Sequence, residues 1–208
     1  MPLLSLPHVL RQPVCSPPAW PYLAPDPVRA EAWAQRIPAD GLKVGLVWSG
    51  RPQQAKDAAR SLSLAALAPL LEVPGVRLYA LQKGDAERQL RDPRMQGRVE
   101  NLAPLLLDFA DTAAAITQLD LLISVDTAVA HLAAALAKPV WLLLARVPNW
   151  RWGLTGETTP WYPTMRLFRQ AQRGDWGGVV ERVTRELWHR ANVQAVSGRN
   201  DITRRGAG

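Results

Sequence analysis

The sequence predicts an α/β fold in which a parallel sheet carries helices on both faces. Three observations lead to this prediction. Short, continuous apolar runs recur along the chain, as expected for strands that are buried on both faces of a sheet. Segments with helical spacing or high helix propensity separate these runs, and proline and glycine mark the turns between them.

In the first half of the chain, the apolar run at residues 44–48 predicts a strand that ends at Ser49 and Gly50. Ser63 suits the N-cap of a helix whose leucines fall on one face and which Pro74 and Gly75 close. Residues 76–81 then predict a second strand. A short polar helix is expected at residues 84–91.

In the second half, Asp108 or Asp111 is expected to cap a helix that precedes a strand at residues 119–125. The next helix is predicted at residues 127–137, because helix propensity is high there and no breaker occurs before Pro139. Strands at residues 140–144 and 165–168 follow. Asp175 or a nearby residue is expected to begin a terminal helix.

One principal domain is the default for 208 residues that are 48% hydrophobic and 21% charged. Prolines crowd the first thirty residues and disfavour long helices there, so residues 1–41 are predicted to be a proline-rich segment and a linker or helix before the compact fold. The domain itself is predicted to span residues 42–191. The polar, glycine-containing residues 192–208 predict a disordered tail.

Composition excludes several classes of site and partner. Cys15 is the only cysteine, which rules out an intrachain disulfide and favours a cytoplasmic location. The long apolar region at residues 119–145 contains Asp120, Asp126 and Lys138, so no transmembrane segment is predicted. The net charge of +7 favours anionic partners, but it is the sole support for nucleic-acid binding, and no specific nucleic-acid partner is expected.

Ligands bind beyond the carboxyl ends of the strands in an open parallel sheet. Three segments occupy such positions, at residues 49–61, 82–84 and 126–131. The last is the strongest candidate, because the free amides near Thr127 and Ala128 open a helix and favour a phosphate. Asp126 fits either a ligand contact or an N-cap, and His131 fits either a site residue or a packing residue.

The other two segments carry weaker signals. Arg51, Lys56 and Arg60 could neutralise a diphosphate, although an ordinary charged surface loop has the same composition. Gln82 could contact a base or ribose and Lys83 a phosphate, but a plain turn explains both equally well. The chain lacks Gly-x-Gly-x-x-Gly and the phosphate-binding loop motif, and its histidines are not spaced as metal ligands, so no metal and no cofactor are predicted.

Five motifs occur in an informative order: Val-Gly-Leu-Val-Trp-Ser-Gly, Leu-Gln-Lys-Gly, Asp-Phe-Ala-Asp-Thr-Ala, Ser-Val-Asp-Thr-Ala-Val-Ala-His-Leu-Ala and Trp-Tyr-Pro-Thr-Met-Arg-Leu-Phe. With them, residues 21–190 resemble the C-terminal half of bacterial glycosyltransferases related to lipopolysaccharide heptosyltransferases, which often follow tetratricopeptide repeats. The resemblance implies one Rossmann-like lobe of a two-lobed (GT-B) fold. That lobe would bind the nucleotide-sugar donor, and an acceptor lobe would face it.

The resemblance also implies roles for individual residues. Asp126 would lie near the donor sugar and is the one candidate catalytic residue, while Thr127 and Ala128 would contact the diphosphate and His131 would support them. Gln82 and Lys83 would lie near the nucleoside. The phosphate side would be completed by Ser49, Gly50, Lys56 and Arg60. The family commonly has Gly-Asn-Pro and a histidine in the first loop, where this chain has Gly50-Arg51-Pro52 and Gln54.

These inferences predict a donor lobe that binds a nucleotide-diphosphate sugar for metal-independent sugar transfer. The acceptor lobe, which usually carries the general base, has no counterpart in the short stretch before Pro21. We therefore expect a truncated gene product, one half of a split enzyme or a fragment, with an acceptor lobe or tetratricopeptide-repeat chain as partner. The alternative is a non-catalytic nucleotide-sugar-binding or interaction module.

Overall fold

A six-stranded parallel sheet forms the centre of the molecule, as predicted. The computed structural model describes Val9, residues 20–51 and residues 57–205, with side chains described as far as residue 196. Strands β1 to β6 are Leu42–Val47, Val76–Ala80, Val99–Asn101, Leu121–Val125, Val140–Leu144 and Met165–Arg169. Their order across the sheet is β3-β2-β1-β4-β5-β6.

The strand order places a crevice between β1 and β4. β1 pairs in parallel with β2 on one side, where Leu42 lies opposite Val76, and with β4 on the other, where Val44 lies opposite Leu121. The chain winds outward in opposite directions from this pair, so the loops that leave β1 and β4 diverge. In such sheets the crevice at this reversal, beyond the carboxyl ends of the strands, is the usual ligand site.

Five strands match the predicted apolar runs, with bounds that differ by one or two residues. β3, at the sheet edge, was not predicted. It is only three residues long, and Val99 alone among them is buried. So short a segment with one buried side chain carries no recognisable strand pattern in the sequence.

Helices cover both faces of the sheet. The α-helices α1 to α5 are Pro27–Ala34, Asp57–Arg60, Phe109–Thr117, Ala128–Ala135 and Trp176–Arg205. The 3₁₀ helices are Leu64–Glu72, Asp85–Arg91, Ala103–Leu105 and Trp150–Trp152. The helix capped by Ser63 is therefore present, but it is a 3₁₀ helix with Pro69 inside it. Proline lacks the N–H and its ring clashes with the carbonyl four residues back, which disfavours α-helical geometry there.

Two apolar cores lie on opposite faces of the sheet. One joins alternate residues of β1 and β4 to the 3₁₀ helix Leu64–Glu72 and to α5. The other joins β4 and β5 to α1, α3 and α4. Every residue of β4 and β5 is buried, which accounts for a sequence that is apolar except for Ser124.

Residues 20–37 pack against the helices of the domain, although the sequence places the start of the compact fold near Leu42. Trp20 donates from its indole to the Ala134 carbonyl at 2.9 Å, and Asp26 caps α1. Trp33 and Ile37 are buried in the core that contains α3 and α4. Prolines exclude long helices here, but they do not prevent a short helix with apolar residues from packing on the domain.

At the other end, α5 runs to Arg205, whereas the sequence predicts a disordered tail from residue 192. Its first turns bury Val179, Val183 and Leu187, and the helix then continues past the core with exposed side chains at residues 192–196. No proline interrupts the backbone hydrogen bonds after Pro163. Within the described part of the chain, no helix is both long enough and apolar enough to cross a membrane.

Candidate functional site

A cleft of about 1180 Å³ lies beyond the carboxyl ends of β1, β2 and β4. Its lining includes every site residue predicted from the sequence that the structure describes: Ser49, Gly50, Arg60, Gln82, Lys83, Asp126, Thr127, Ala128 and His131. Lys56 lies outside the described residues. The three predicted segments therefore meet in one place, while the roles assigned to their residues stay predictions.

The loop after β1 is held by a hydrogen-bond network. The Gly50 amide donates to Ser61 Oγ at 3.0 Å, and Ser61 Oγ donates to Asp57 Oδ2 at 3.1 Å. Arg60 Nε donates to Asp57 Oδ1 at 3.0 Å. A Cβ atom on Gly50 would collide with the Asp57 and Arg60 side chains. Glycine is required here because these side chains approach the backbone closely, and their network holds Arg60 at the cleft wall.

Gln82 links the ends of β1 and β2. Its Oε1 accepts from the amides of Trp48 at 3.0 Å and Ser49 at 2.8 Å. Its Nε2 donates to the carbonyls of Ser49 at 3.1 Å and Lys83 at 2.9 Å. A glutamine amide has two donors and two principal acceptor sites, so all of them are used within the protein. The side chain therefore holds backbone in place, while its predicted contact with a base or ribose stays a prediction.

Lys83, like Gln82, holds backbone in place through hydrogen bonds. Its Nζ donates to the carbonyls of Ala103, at 3.0 Å, and Leu106. These contacts hold the chain between β3 and α3 against the end of β2. The ammonium still lines the cleft, where its charge adds to the local positive potential.

The N-terminus of α4 opens into the cleft. Thr127 is the N-cap residue, but its side chain makes no capping hydrogen bond, and its Oγ1 lies 3.1 Å from Ser124 Oγ instead. The first amides of a helix have no intrahelical acceptor. Thr127, Ala128 and Val129 all line the cleft, so this end of the helix presents N–H groups and a positive dipole to a ligand.

Asp126 lies beside these amides without capping the helix, so the capping interpretation is wrong. Its side chain is 14% exposed, and its Oδ1 lies 3.6 Å from His131 Nε2. Burial alone would raise the pKa of the Asp126 carboxyl, but the N–H groups of His131 and Trp152 outweigh burial, and the pKa lies below its usual value. Trp152 Nε1 forms no hydrogen bond with any described residue, so its N–H acts on Asp126 only as a nearby dipole. Asp126 is therefore an anion at neutral pH.

His131 is enclosed by aromatic rings. It stacks on Trp152 with ring centroids 5.2 Å apart, and Tyr162 meets it edge-on at 5.7 Å. Its Nδ1 lies 3.0 Å from the Tyr162 hydroxyl, to which the Tyr22 hydroxyl donates at 3.3 Å. Both interpretations of His131 hold at once, because the ring packs against aromatic side chains and also lines the cleft.

Several cleft residues were missed by the sequence analysis. Asn149 and Arg151 reach the cleft from the loop after β5, and Thr112, Phe109 and Leu107 line it from α3 and the loop before that helix. The signal that could have found Arg151 was available, since its loop also follows the carboxyl end of a predicted strand. No residue of that loop was predicted to line the site.

Among the described residues, no three histidine, cysteine, aspartate or glutamate side chains are grouped so that they could hold a metal ion. The cleft instead carries the cations Arg51, Arg60, Lys83 and Arg151. Metal-independent chemistry remains a prediction that these positive charges favour.

A family model and the solved structures with the same fold both point to one family of proteins. Residues 64–173 match the model described as glycosyltransferase family 9 (heptosyltransferase). Over 172 residues the chain is 33% identical to protein FlbA of Caulobacter vibrioides, which covers 80% of this chain and 28% of that protein.

Solved structures share the fold at low sequence identity. The ADP-heptose lipopolysaccharide heptosyltransferase II of E. coli is 17% identical, with a TM-score of 0.57 over 86% of this chain and 56% of its own. E. coli heptosyltransferase WaaC with ADP-2-deoxy-2-fluoro heptose is 17% identical, with a TM-score of 0.52 over 76% of this chain and 47% of its own. The chain thus spans about half the length of these heptosyltransferases and little more than a quarter of FlbA.

Proposed function

Because the chain belongs to glycosyltransferase family 9, we propose that its cleft binds a nucleoside-diphosphate sugar and supplies the donor site for a metal-independent sugar transfer. The observation that carries this proposal is the uncapped N-terminus of α4, which opens into a cleft lined by Arg51, Arg60 and Arg151. Helix N-termini and guanidinium groups both favour phosphate oxygens. Together they suit a diphosphate, whose charge they would also stabilise as the nucleotide departs.

The two ends of the cleft suit the two ends of such a ligand. Asp126 is an anion that would repel phosphate and suits acceptance of hydrogen bonds from sugar hydroxyls. On the side of β2 and α3, Leu106, Leu107 and Phe109 provide apolar surface, against which a base can pack. We infer that the sugar lies towards Asp126 and the nucleoside towards Phe109, with the diphosphate at α4.

The first ligands to test follow from the relatives. The solved heptosyltransferases that share this fold include structures named for ADP-heptose and determined with ADP or an ADP-heptose analogue. We therefore propose ADP and an ADP-linked sugar as the first candidates for this chain, with UDP and GDP as the alternatives for the base.

Transfer by this protein requires more than the residues described. The chain spans about half of the matched heptosyltransferases, and we assign no general base to the acceptor side of the cleft. We propose that an acceptor lobe or a tetratricopeptide-repeat partner completes the enzyme. A non-catalytic nucleotide-sugar-binding module would share the binding step, and failure of transfer after an acceptor lobe is supplied would favour it.

Calorimetric titration with ADP, UDP and GDP in the presence of EDTA tests the binding step. We expect one diphosphate to bind, and Arg151→Ala to weaken it by about tenfold or more, since a charge-assisted hydrogen bond contributes about 1.5–3 kcal/mol. Among the described residues the Arg151 side chain forms no ion pair. Its replacement by alanine removes the contact over the Trp150 ring but keeps the Arg151 carbonyl that accepts from Trp161 Nε1. Arg91→Ala is the matched control, because Arg91 is exposed and lies outside the cleft.

The Arg91→Ala control separates loss of a phosphate contact from a simple change in net charge. Equal loss of affinity in Arg151→Ala and Arg91→Ala would reduce the effect to net charge and contradict the placement of the diphosphate. Absence of binding by folded wild-type protein would refute the donor-site proposal.

A further inference from the structure

We propose that Tyr22, Tyr162 and His131 form a directional hydrogen-bond chain that holds His131 as its neutral Nε2–H tautomer, with that N–H directed at Asp126. Tyr162 is then a positioning residue for the site, acting through His131. The hydrogen-bond chain stands on geometry alone. Only its consequence for a sugar rests on the proposed function.

The geometry joins residues that are far apart in the sequence. The hydroxyls of Tyr22 and Tyr162 are 3.3 Å apart, and the Tyr162 hydroxyl is 3.0 Å from His131 Nδ1. On the other side of the imidazole, Nε2 lies 3.6 Å from Asp126 Oδ1. Stacking on Trp152 at 5.2 Å holds the ring plane, and within that plane the contacts with Tyr162 and Asp126 place Nδ1 and Nε2.

The direction follows from counting donors and acceptors. A carboxylate only accepts, and Asp126 Oδ1 lies 3.6 Å from His131 Nε2, so the carboxylate stabilises a proton on Nε2 electrostatically. If Tyr22 donates to Tyr162, the single Tyr162 proton is free to go to His131 Nδ1, which must then be unprotonated. In the opposite direction Nδ1 would carry a proton as well, and the ring would be an imidazolium.

The Tyr162 phenol is the group that can donate to His131 Nδ1. Burial raises the pKa of this phenol above its usual value, which keeps it protonated and able to donate. Asp126 is the carboxylate that faces the ring.

The arrangement has a consequence for the ligand. With His131 neutral, the charge of Asp126 is not cancelled, and the carboxylate stays an acceptor for hydroxyl groups. Tyr22 is 44% exposed and lies in the segment before α1. A residue outside the sheet and its helices therefore helps to determine which nitrogen of His131 carries the proton.

Imidazole ¹⁵N spectra at neutral pH test the inference without a ligand. The chain has three histidines, and the His131 signals are assigned by their loss in His131→Gln. We expect wild type to show an unprotonated Nδ1 and a protonated Nε2, and Tyr162→Phe to move the two shifts towards each other. Tyr22→Phe should give a smaller change in the same direction.

Tyr79→Phe is the matched control, since Tyr79 is the remaining tyrosine and its buried hydroxyl has no hydrogen-bond partner among the described residues. It should leave the His131 shifts unchanged. Two protonated nitrogens in wild type, a protonated Nδ1 alone, or unchanged shifts in folded Tyr162→Phe would each overturn the proposal.

Titration with ADP and ADP-heptose then tests the consequence. Tyr162→Phe should weaken ADP-heptose by about three- to tenfold, the range for one perturbed hydrogen bond, and leave ADP nearly unchanged. Equal weakening of both would overturn the role towards the sugar. If wild type has the expected tautomer but binds neither ligand, the donor-site proposal fails while the hydrogen-bond chain stands.

Discussion

Replacing Gln82 by leucine should destabilise the protein by about 2–4 kcal/mol without directly removing a ligand contact. Gln82 is 3% exposed, and its acceptor oxygen serves two amides, one of them in the fully buried Trp48. A buried donor left without a partner costs about 1–3 kcal/mol, and each further lost hydrogen bond costs about 0.5–1.5 kcal/mol. The apolar surface that leucine buries offsets part of this sum.

The assay is urea denaturation followed by tryptophan fluorescence, with a thermal melt as a second probe. For a chain of this length, the expected loss corresponds to a fall in Tm of about 5–10 °C. Gln96→Leu is the matched control, because Gln96 is exposed and its loss should change stability by less than about 0.5 kcal/mol.

Gln82→Glu tests the same structural role through the pH dependence of stability. A carboxylate can still accept from the two amides, but it faces the Ser49 and Lys83 carbonyls to which the amide nitrogen now donates. The folded-state pKa of the new carboxyl should therefore be raised, so stability should recover as the pH falls through that value. The structural role would be refuted if Gln82→Leu lost diphosphate affinity while its free energy of unfolding changed by less than about 0.5 kcal/mol.

Three further predictions concern stability. Gly177→Ala should stabilise α5 by about 0.5–1 kcal/mol, because its Cβ would make only an ordinary van der Waals contact, 3.8 Å from Asp175 Oδ1. Gly178→Ala should destabilise the protein, because its Cβ would displace the Asp175 carboxylate that accepts from the Gly178 amide. Denaturation midpoints that move together would contradict this. Gly45→Ala should cost about 1–3 kcal/mol, since its Cβ would lie 2.7, 2.9 and 3.0 Å from leucine methyl carbons, and an unchanged melting temperature would contradict this. The lowered pKa of Asp126 means that its stabilising contribution is complete above about pH 5 and is lost as the pH falls through the folded-state pKa. The stability difference between wild type and Asp126→Asn should therefore shrink below about pH 4, and a difference independent of pH would contradict the assignment.

Local sequence signals were sufficient for most of the fold. The runs at β4 and β5 are apolar except for Ser124, because both faces of these strands are buried. The length and composition of the runs identify such strands without tertiary information. Ser63 and Asp108 were recognisable as caps, because a capping side chain bonds to an amide within its own turn. At Leu64–Glu72 the spacing of the leucines predicts a helix, whereas Pro69 disfavours α-helical geometry. The helix was therefore predicted, but not its 3₁₀ type.

The candidate site could be located from the sequence for a related reason. Parallel strands end at the same edge of a sheet, so the residues after β1, β2 and β4 must converge. Strand direction alone predicts that Ser49, Gln82 and Asp126 lie close together, and the structure places all three in one cleft. The alternation of strands and helices predicts that direction.

What each side chain does at that edge was decided by the tertiary structure. Gln82 bonds to backbone 33 and 34 residues away, and Tyr22 meets Tyr162 across 140 residues. No local period or spacing encodes such partners, because side-chain hydrogen bonds depend on which loops pack together and on which donors remain unsatisfied there. The sequence therefore determined the sheet and the edge that carries the site, while packing between distant segments determined which polar groups stay available to a ligand and which are used to hold the backbone in place.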